Sequence, residues 1–220
     1  MILNLIISFF LQVLPVGIVN ISGANTASTS NYLSVKSGYV MSYDGISGRA
    51  NWVAWTLVGA DVGSVARSNK FIQDDDFPRS FYVIDESDYK YTGYDRGHLC
   101  NSEDRTASLF LNRETFLMSN MLPQTPELNR GPWERLEAYC RKLAKRGQKL
   151  VIYAGAIGAK DALGSTKMPI PKYCWKVVYT PEKVWCILFP NEKNLNPNWQ
   201  TYAIPLSQLS KMTGYKFPLN

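Results

Sequence analysis

The chain carries one histidine, His98, in the run Asp95-Arg96-Gly97-His98. A lone histidine is more often structural than catalytic. Here it follows a charged pair and a flexible glycine and leads into a polar segment. Imidazole, with an unperturbed pKa of about 6.5, is the side chain best placed to take a proton from water near neutrality. A second group comprises Asn120, Gln124, Asn129, Glu137 and Arg141. On spacing alone, Glu137 and Arg141 form an ordinary surface pair one helical turn apart. An amide oxygen and a carboxylate near a helix start also suit a hard cation that keeps most of its waters, which is Mg²⁺ behaviour.

These residues need elements to hold them. Residues 38–44 and 51–58, separated by a Gly/Ser turn, read as a hairpin. Residues 61–80, with Arg67, Lys70 and three consecutive aspartates, read as loop. Residues 115–122 read as a short buried strand, broken after it by Pro123 and Pro126. A helix is expected from Pro132, which suits a first turn, through Trp133, Leu136, Tyr139 or Cys140, and Leu143. Arg141, Lys142, Lys145 and Arg146 favour its C-terminal dipole, and Gly147 stops it. Strands follow at 149–155, 173–180 and 184–190, then a short helix near 205–213. Strands predominate around one central helix, an α+β pattern.

The chain has 220 residues, 45% of them apolar and 13% aromatic, enough for a core and too many for a disordered chain. One histidine excludes zinc sites and cages that need two. Net charge is +6, weak evidence for a polyanionic partner. The four cysteines, Cys100, Cys140, Cys174 and Cys186, form no CxxC pair. Two disulfides are permitted, with Cys174–Cys186 as hairpin neighbours and Cys100–Cys140 left over. Four buried thiols are the open alternative.

The runs DRGHLCNSEDRT and FLMSNMLPQTPELNRGPWERLEAYCR together resemble the core signature of the DNA/RNA non-specific endonucleases. That group of ββα-metal nucleases includes mitochondrial endonuclease G. The resemblance extends over roughly residues 38–215, through NWVAW, ARSNKF, PKYCWKVV and TGYKF. It implies a ββα-metal (His-Me finger) fold, with a mixed, largely antiparallel sheet and a central active-site helix. It implies His98 as general base, Asn129 as the single protein ligand of Mg²⁺, with Mn²⁺ a substitute, and Glu137 as the carboxylate that hydrogen-bonds metal-bound water. Arg67 then steadies the phosphorane charge, while Arg96 and Arg141 face phosphate. Asn120 supports, and Asp95 orders the loop. The implied activity is hydrolysis of DNA and RNA to 5′-phosphate ends, with little sequence preference because the grip is on the backbone.

Residues 2–18 are apolar and uncharged, and the first charged residue is Lys36. With the small residues Ser22 and Ala24, this suggests an export signal over 1–24, a linker over 25–37 and the endonuclease domain over 38–220. The mature protein would then be secreted or periplasmic. A membrane anchor is the alternative, since no basic segment precedes the apolar run; without an uncleaved N-terminus no stable membrane association is expected. The rival functions are a non-catalytic nucleic-acid-binding or DNA-uptake protein on the same fold, and an exported toxin held by a cognate protein inhibitor, which nothing in the chain requires.

Overall fold

The computed structural model describes residues 14–219. In chain order the elements are β1 (Tyr32–Val35), β2 (Val40–Asp44), β3 (Arg49–Leu57), β4 (Asp95–His98), α1 (Leu109–Glu114), β5 (Met121–Gln124), α2 (Pro126–Leu128), α3 (Glu134–Lys145), β6 (Leu150–Ile157), β7 (Asp161–Ala162), β8 (Pro169–Ile170), β9 (Tyr173–Tyr179), β10 (Val184–Pro190) and α4 (Leu206–Thr213). Six strands form one antiparallel sheet in the order β1-β2-β3-β6-β9-β10. The fold is α+β, as the pattern predicts.

The central strands are apolar on both faces because both faces are covered. In β3, Val53, Trp55 and Leu57 join the larger core, while Trp52 and Ala54 join a second core on the opposite face. In β6 the same alternation sends Leu150, Ile152 and Ala154 one way and Tyr153 the other. This is the two-residue period of a pleated strand. The first face carries the β4–β5 pair and α3, a ββα unit set on the sheet. The second is covered by residues 18–24, Leu209 of α4 and Phe217.

Two expectations change and one open alternative is decided. Residues 25–37, expected as a linker, contain β1, the edge strand, and Asn25 bridges to Tyr32. Upstream of them, Ile18, Ile21 and Ala24 are buried, Val19 donates to the Tyr153 hydroxyl at 2.7 Å, and Trp52 donates to Ser22 Oγ at 2.8 Å. The apolar run behind the export reading is described only from Leu14; residues 1–13 lie outside the described residues. Second, the strand expected at 115–122 is shorter and later. Met118–Asn120 is a tight turn and the extended stretch is Met121–Gln124, because the Asn120 amide folds back onto Thr115 and Cys100. Pro123 fits there since β5 pairs with a single neighbour. Third, all four cysteines are buried free thiols. Cys174 lies opposite Phe189 and Cys186 opposite Val177, so the two cysteines face different cores and cannot bridge.

Candidate active site

The β4–β5 pairing brings the strand of His98 against Met121–Gln124 in tight register, with Gly97 opposite Leu122. A Cβ on residue 97 would overlap the Gln124 side chain, so only glycine fits between the charged pair and His98. His98 is buried. Phe116 meets its ring edge-on at 4.9 Å between centroids, and Phe71 lies at 5.9 Å. Each phenylalanine also carries an arginine. The Arg67 guanidinium sits 5.1 Å from the Phe116 ring and Arg96 4.3 Å from Phe71. Two cations thus flank the imidazole from two aromatic walls. Burial first, then the charges of Arg67, Lys176 and Arg96, lower its pKa to about 3. Its buried Nε2 has no partner among the described residues.

Between α2 and α3 the chain makes a wide π-type turn over Asn129–Trp133. Pro132 lacks the N–H that a continuous helix would use, and Gly131 leaves helical geometry at φ −112°, ψ −117°. The turn is fastened to both ends of β4. Trp133 Nε1 donates to the His98 carbonyl at 3.2 Å. Asn129 Nδ2 donates to Asp95 Oδ2 at 3.0 Å, and Arg130 grips the same carboxylate with two hydrogen bonds at 2.8 and 2.7 Å. Committing the Asn129 NH₂ to Asp95 leaves its Oδ1 to face other ligands. Asn120 braces the segment after His98: its Oδ1 accepts from Cys100 N–H at 2.9 Å, and its NH₂ donates to the Cys100 and Thr115 carbonyls. It is a clamp, not a cleft residue. Gln124 is buried behind β4, with neither amide atom hydrogen-bonded among the described residues.

Glu137 and Arg141 are both buried and do not pair with each other. Glu137 Oε1 accepts from Lys176 Nζ at 2.7 Å, and Asn101 Nδ2 donates to its other oxygen. Lys176, inside β9, is itself buried, with its ammonium 4.0 Å from the Trp133 ring and 5.5 Å from Trp55. Burial pushes the Glu137 carboxyl up, and the charge and hydrogen bond of Lys176 oppose that push. Arg141 turns to Glu103 at 2.6 Å, Asp104 at 3.4 Å and Glu134 at 3.9 Å. Its charge is largely answered within the protein.

Arg67, Arg96, His98, Asn129, Glu137 and Arg141 all line one cleft of about 280 Å³. Six of the nine residues singled out from sequence therefore converge; Asp95, Asn120 and Gln124 stand behind them. Lys176, Asn101, Phe71 and Phe116 were not anticipated. For Lys176 the signal was present: a lone cation inside the apolar run Tyr173–Tyr179, on the face of Cys174 and Val178. The donors are hard: one oriented amide oxygen and one carboxylate. Among the described residues no cluster of three or more His, Cys, Asp or Glu is poised to hold a metal. Such a set suits a hydrated Mg²⁺ and does not suit a caged transition metal.

The sequence profile of the DNA/RNA non-specific endonuclease family matches residues 19–220. A Nostoc protein named Nuclease is 38% identical over 216 residues, covering 91% of this chain and 79% of the relative. Mitochondrial nuclease EXOG of Xenopus laevis is 30% identical over 201 residues, covering 81% of this chain and 56% of that protein. A crystal structure of EndoG in complex with EndoGI matches with a TM-score of 0.73 at 26% identity, over 84% of each chain.

Proposed function

The chain belongs to the DNA/RNA non-specific endonuclease family, and from that premise we propose that it is a Mg²⁺-dependent endonuclease, indifferent to the sugar, that cuts DNA and RNA to 5′-phosphate ends with His98 as general base. The observation that carries this reading is an imidazole with an unclaimed nitrogen between two aromatic-backed arginines, in the cleft that Asn129 and Glu137 share.

His98 takes the proton of the attacking water as its oxygen bonds to phosphorus and the bond to the 3′-oxygen breaks. Arg67 and Arg96 hold the non-bridging oxygens, where charge accumulates. Asn129 Oδ1, oriented by Asp95, would hold the cation. Mg²⁺ bound there supplies Lewis-acid stabilisation of the departing 3′-oxygen. Glu137, fixed by Lys176 and Asn101, accepts hydrogen bonds from water in the cleft. Arg141, answered by Glu103 and Asp104, contributes field from behind more than direct grip.

Two further parts belong to the proposal. Export is supported by the uncharged apolar run at residues 2–18. A protein inhibitor as partner is supported by the similar fold seen in the EndoG/EndoGI complex.

The test is nicking of supercoiled plasmid and cleavage of RNA, with Mg²⁺ and with EDTA. The expected result is Mg²⁺-dependent cutting of both, and a loss of at least about a hundredfold in turnover for His98→Ala, within the usual worth of general base catalysis. A folded wild-type protein that binds plasmid without nicking it would sink the enzyme and leave a nucleic-acid binder.

A further inference from the structure

Beside the catalytic cleft lies a second, larger hollow of about 550 Å³, lined by Ala66, Arg67, Ser68, Lys70, Ile72, Leu109 and Arg113. The two share Arg67, so they are continuous at the residue that faces phosphate. The hollow differs from the rest of the cleft in two ways. Its cations are uncommitted: among the described residues neither Lys70 nor Arg113 forms a salt bridge, whereas Arg96 pairs with Glu86 at 3.0 Å and Arg130 with Asp95 at 2.7 Å. No acidic residue lines it. It is also partly apolar, with Ile72 43% and Leu109 45% exposed, and Phe110, next in the chain, 65% exposed.

Unpaired cations beside exposed apolar side chains, opening from a phosphate site, fit an alternation of charge and flat apolar surface in the ligand. Nucleotides have that alternation. A free inorganic anion would leave the apolar wall in water, and an apolar peptide would bury Lys70 and Arg113 unpaired, at a cost. We infer that this hollow is a nucleotide subsite next to the scissile phosphate, with Lys70 and Arg113 taking the neighbouring phosphate and Ile72 and Leu109 receiving the sugar or base attached to it. The inference rests on the nuclease reading for its substrate class, and it adds where the strand runs once it leaves the catalytic centre.

The binding test does not depend on catalysis. Affinity of the full chain for a fluorescein-labelled single-stranded 12-mer is measured by anisotropy in EDTA across a salt series, for the wild type, for Lys70→Ala/Arg113→Ala, and for Lys211→Ala/Lys216→Ala. The last pair removes equal charge from exposed positions on and just after α4, which covers the opposite face of the sheet. The subsite variant is expected to bind at least about tenfold more weakly at 100 mM salt. Its log-affinity against log-salt slope should be shallower by about 0.7, for the one single-strand phosphate that the pair takes. The α4 variant should stay near wild type. With Mg²⁺, the preference of the subsite variant for the 12-mer over a dinucleotide, as a ratio of kcat/KM, should shrink by a similar factor. Unchanged affinity, or an equal loss in the α4 variant, overturns the subsite. Absence of cleavage by the wild type would instead overturn the nuclease reading and leave the binding comparison to judge the hollow. All four positions are exposed, and melting curves confirm that each variant is folded.

Discussion

His98, the proposed base, has a proton affinity set by its surroundings. Burial and three cations hold its pKa near 3, so the free protein keeps the imidazole neutral well into acid. A bound phosphodiester brings negative charge to Arg67 and Arg96, two of the groups that depress it, and so raises the pKa in the complex. The sign is definite: the base is lost below its pKa, so a depressed pKa moves the acid limb down and substrate moves it back up. The acid limb of kcat/KM, which reports the free enzyme, is expected well below pH 6.5, with the limb of kcat at higher pH. Coincident limbs near 6.5 would show that neither burial nor the arginines act on the ring. Lys176 supplies a second residue-scale prediction. Lys176→Met leaves Glu137 buried without its cation, which costs about 3–5 kcal/mol when a buried pair is broken. The carboxyl then takes up a proton and stops accepting. The double variant Glu137→Gln/Lys176→Met should regain much of the melting temperature and none of the activity. Recovery of both would mean that the pair is only a packing unit. The chemistry-bearing residues were legible because their types are unusual and their spacing is regular. Lys176 was passed over because its strand lies about 40 residues from Glu137, and one cation in an apolar strand does not reveal what it faces.

At the scale of elements, the site depends on β4 and the turn after α2 moving as one body. Asp95 joins them, accepting from Asn129 and Arg130 on the far side of the kink. A ligand is only as well placed as the group that orients it. Asp95→Ala should therefore raise the Mg²⁺ concentration for half-maximal cleavage by about 10–100-fold, the usual cost of losing such a partner, while the melting temperature changes little because the Arg130 end is exposed. An unchanged Mg²⁺ titration would show that Asn129 needs no orienting or is not the ligand. The strands and α3 were legible because alternation and helical spacing are local. The turn at Asn129–Trp133 was not: Pro132 signals a helix start, and it does so here after a break that begins three residues earlier. The late start of the strand expected at 115–122 has the same character, since the Asn120 amide competes with the ladder through contacts to Cys100 that sequence distance hides.

At the scale of the molecule, the sheet works as a floor with a load on each side, and the load opposite the active site includes residues 18–24. From sequence that segment reads as the end of an export signal, with an anchor as the alternative, because composition alone does not separate either from a buried core segment. The packing does bear on it. Ile21 is 2% exposed in the second core, where the shared strands tie it to the floor beneath Trp55 and Lys176. Removing residues 1–24 would strip Ile18, Ile21 and the Val19–Tyr153 hydrogen bonds from that core. An export cut that preserves the core must therefore fall before Ile18. Ile21→Ala separates the cases, because it acts only if the residue is present in the working protein. With Ile21 retained, the secreted protein should lose about 2–5 kcal/mol of stability, the usual cost of truncating a buried isoleucine, and melt at least about 5 °C lower. An unchanged melting temperature, with an intact mass starting at Asn25, would mean that the mature fold closes its second core without this segment.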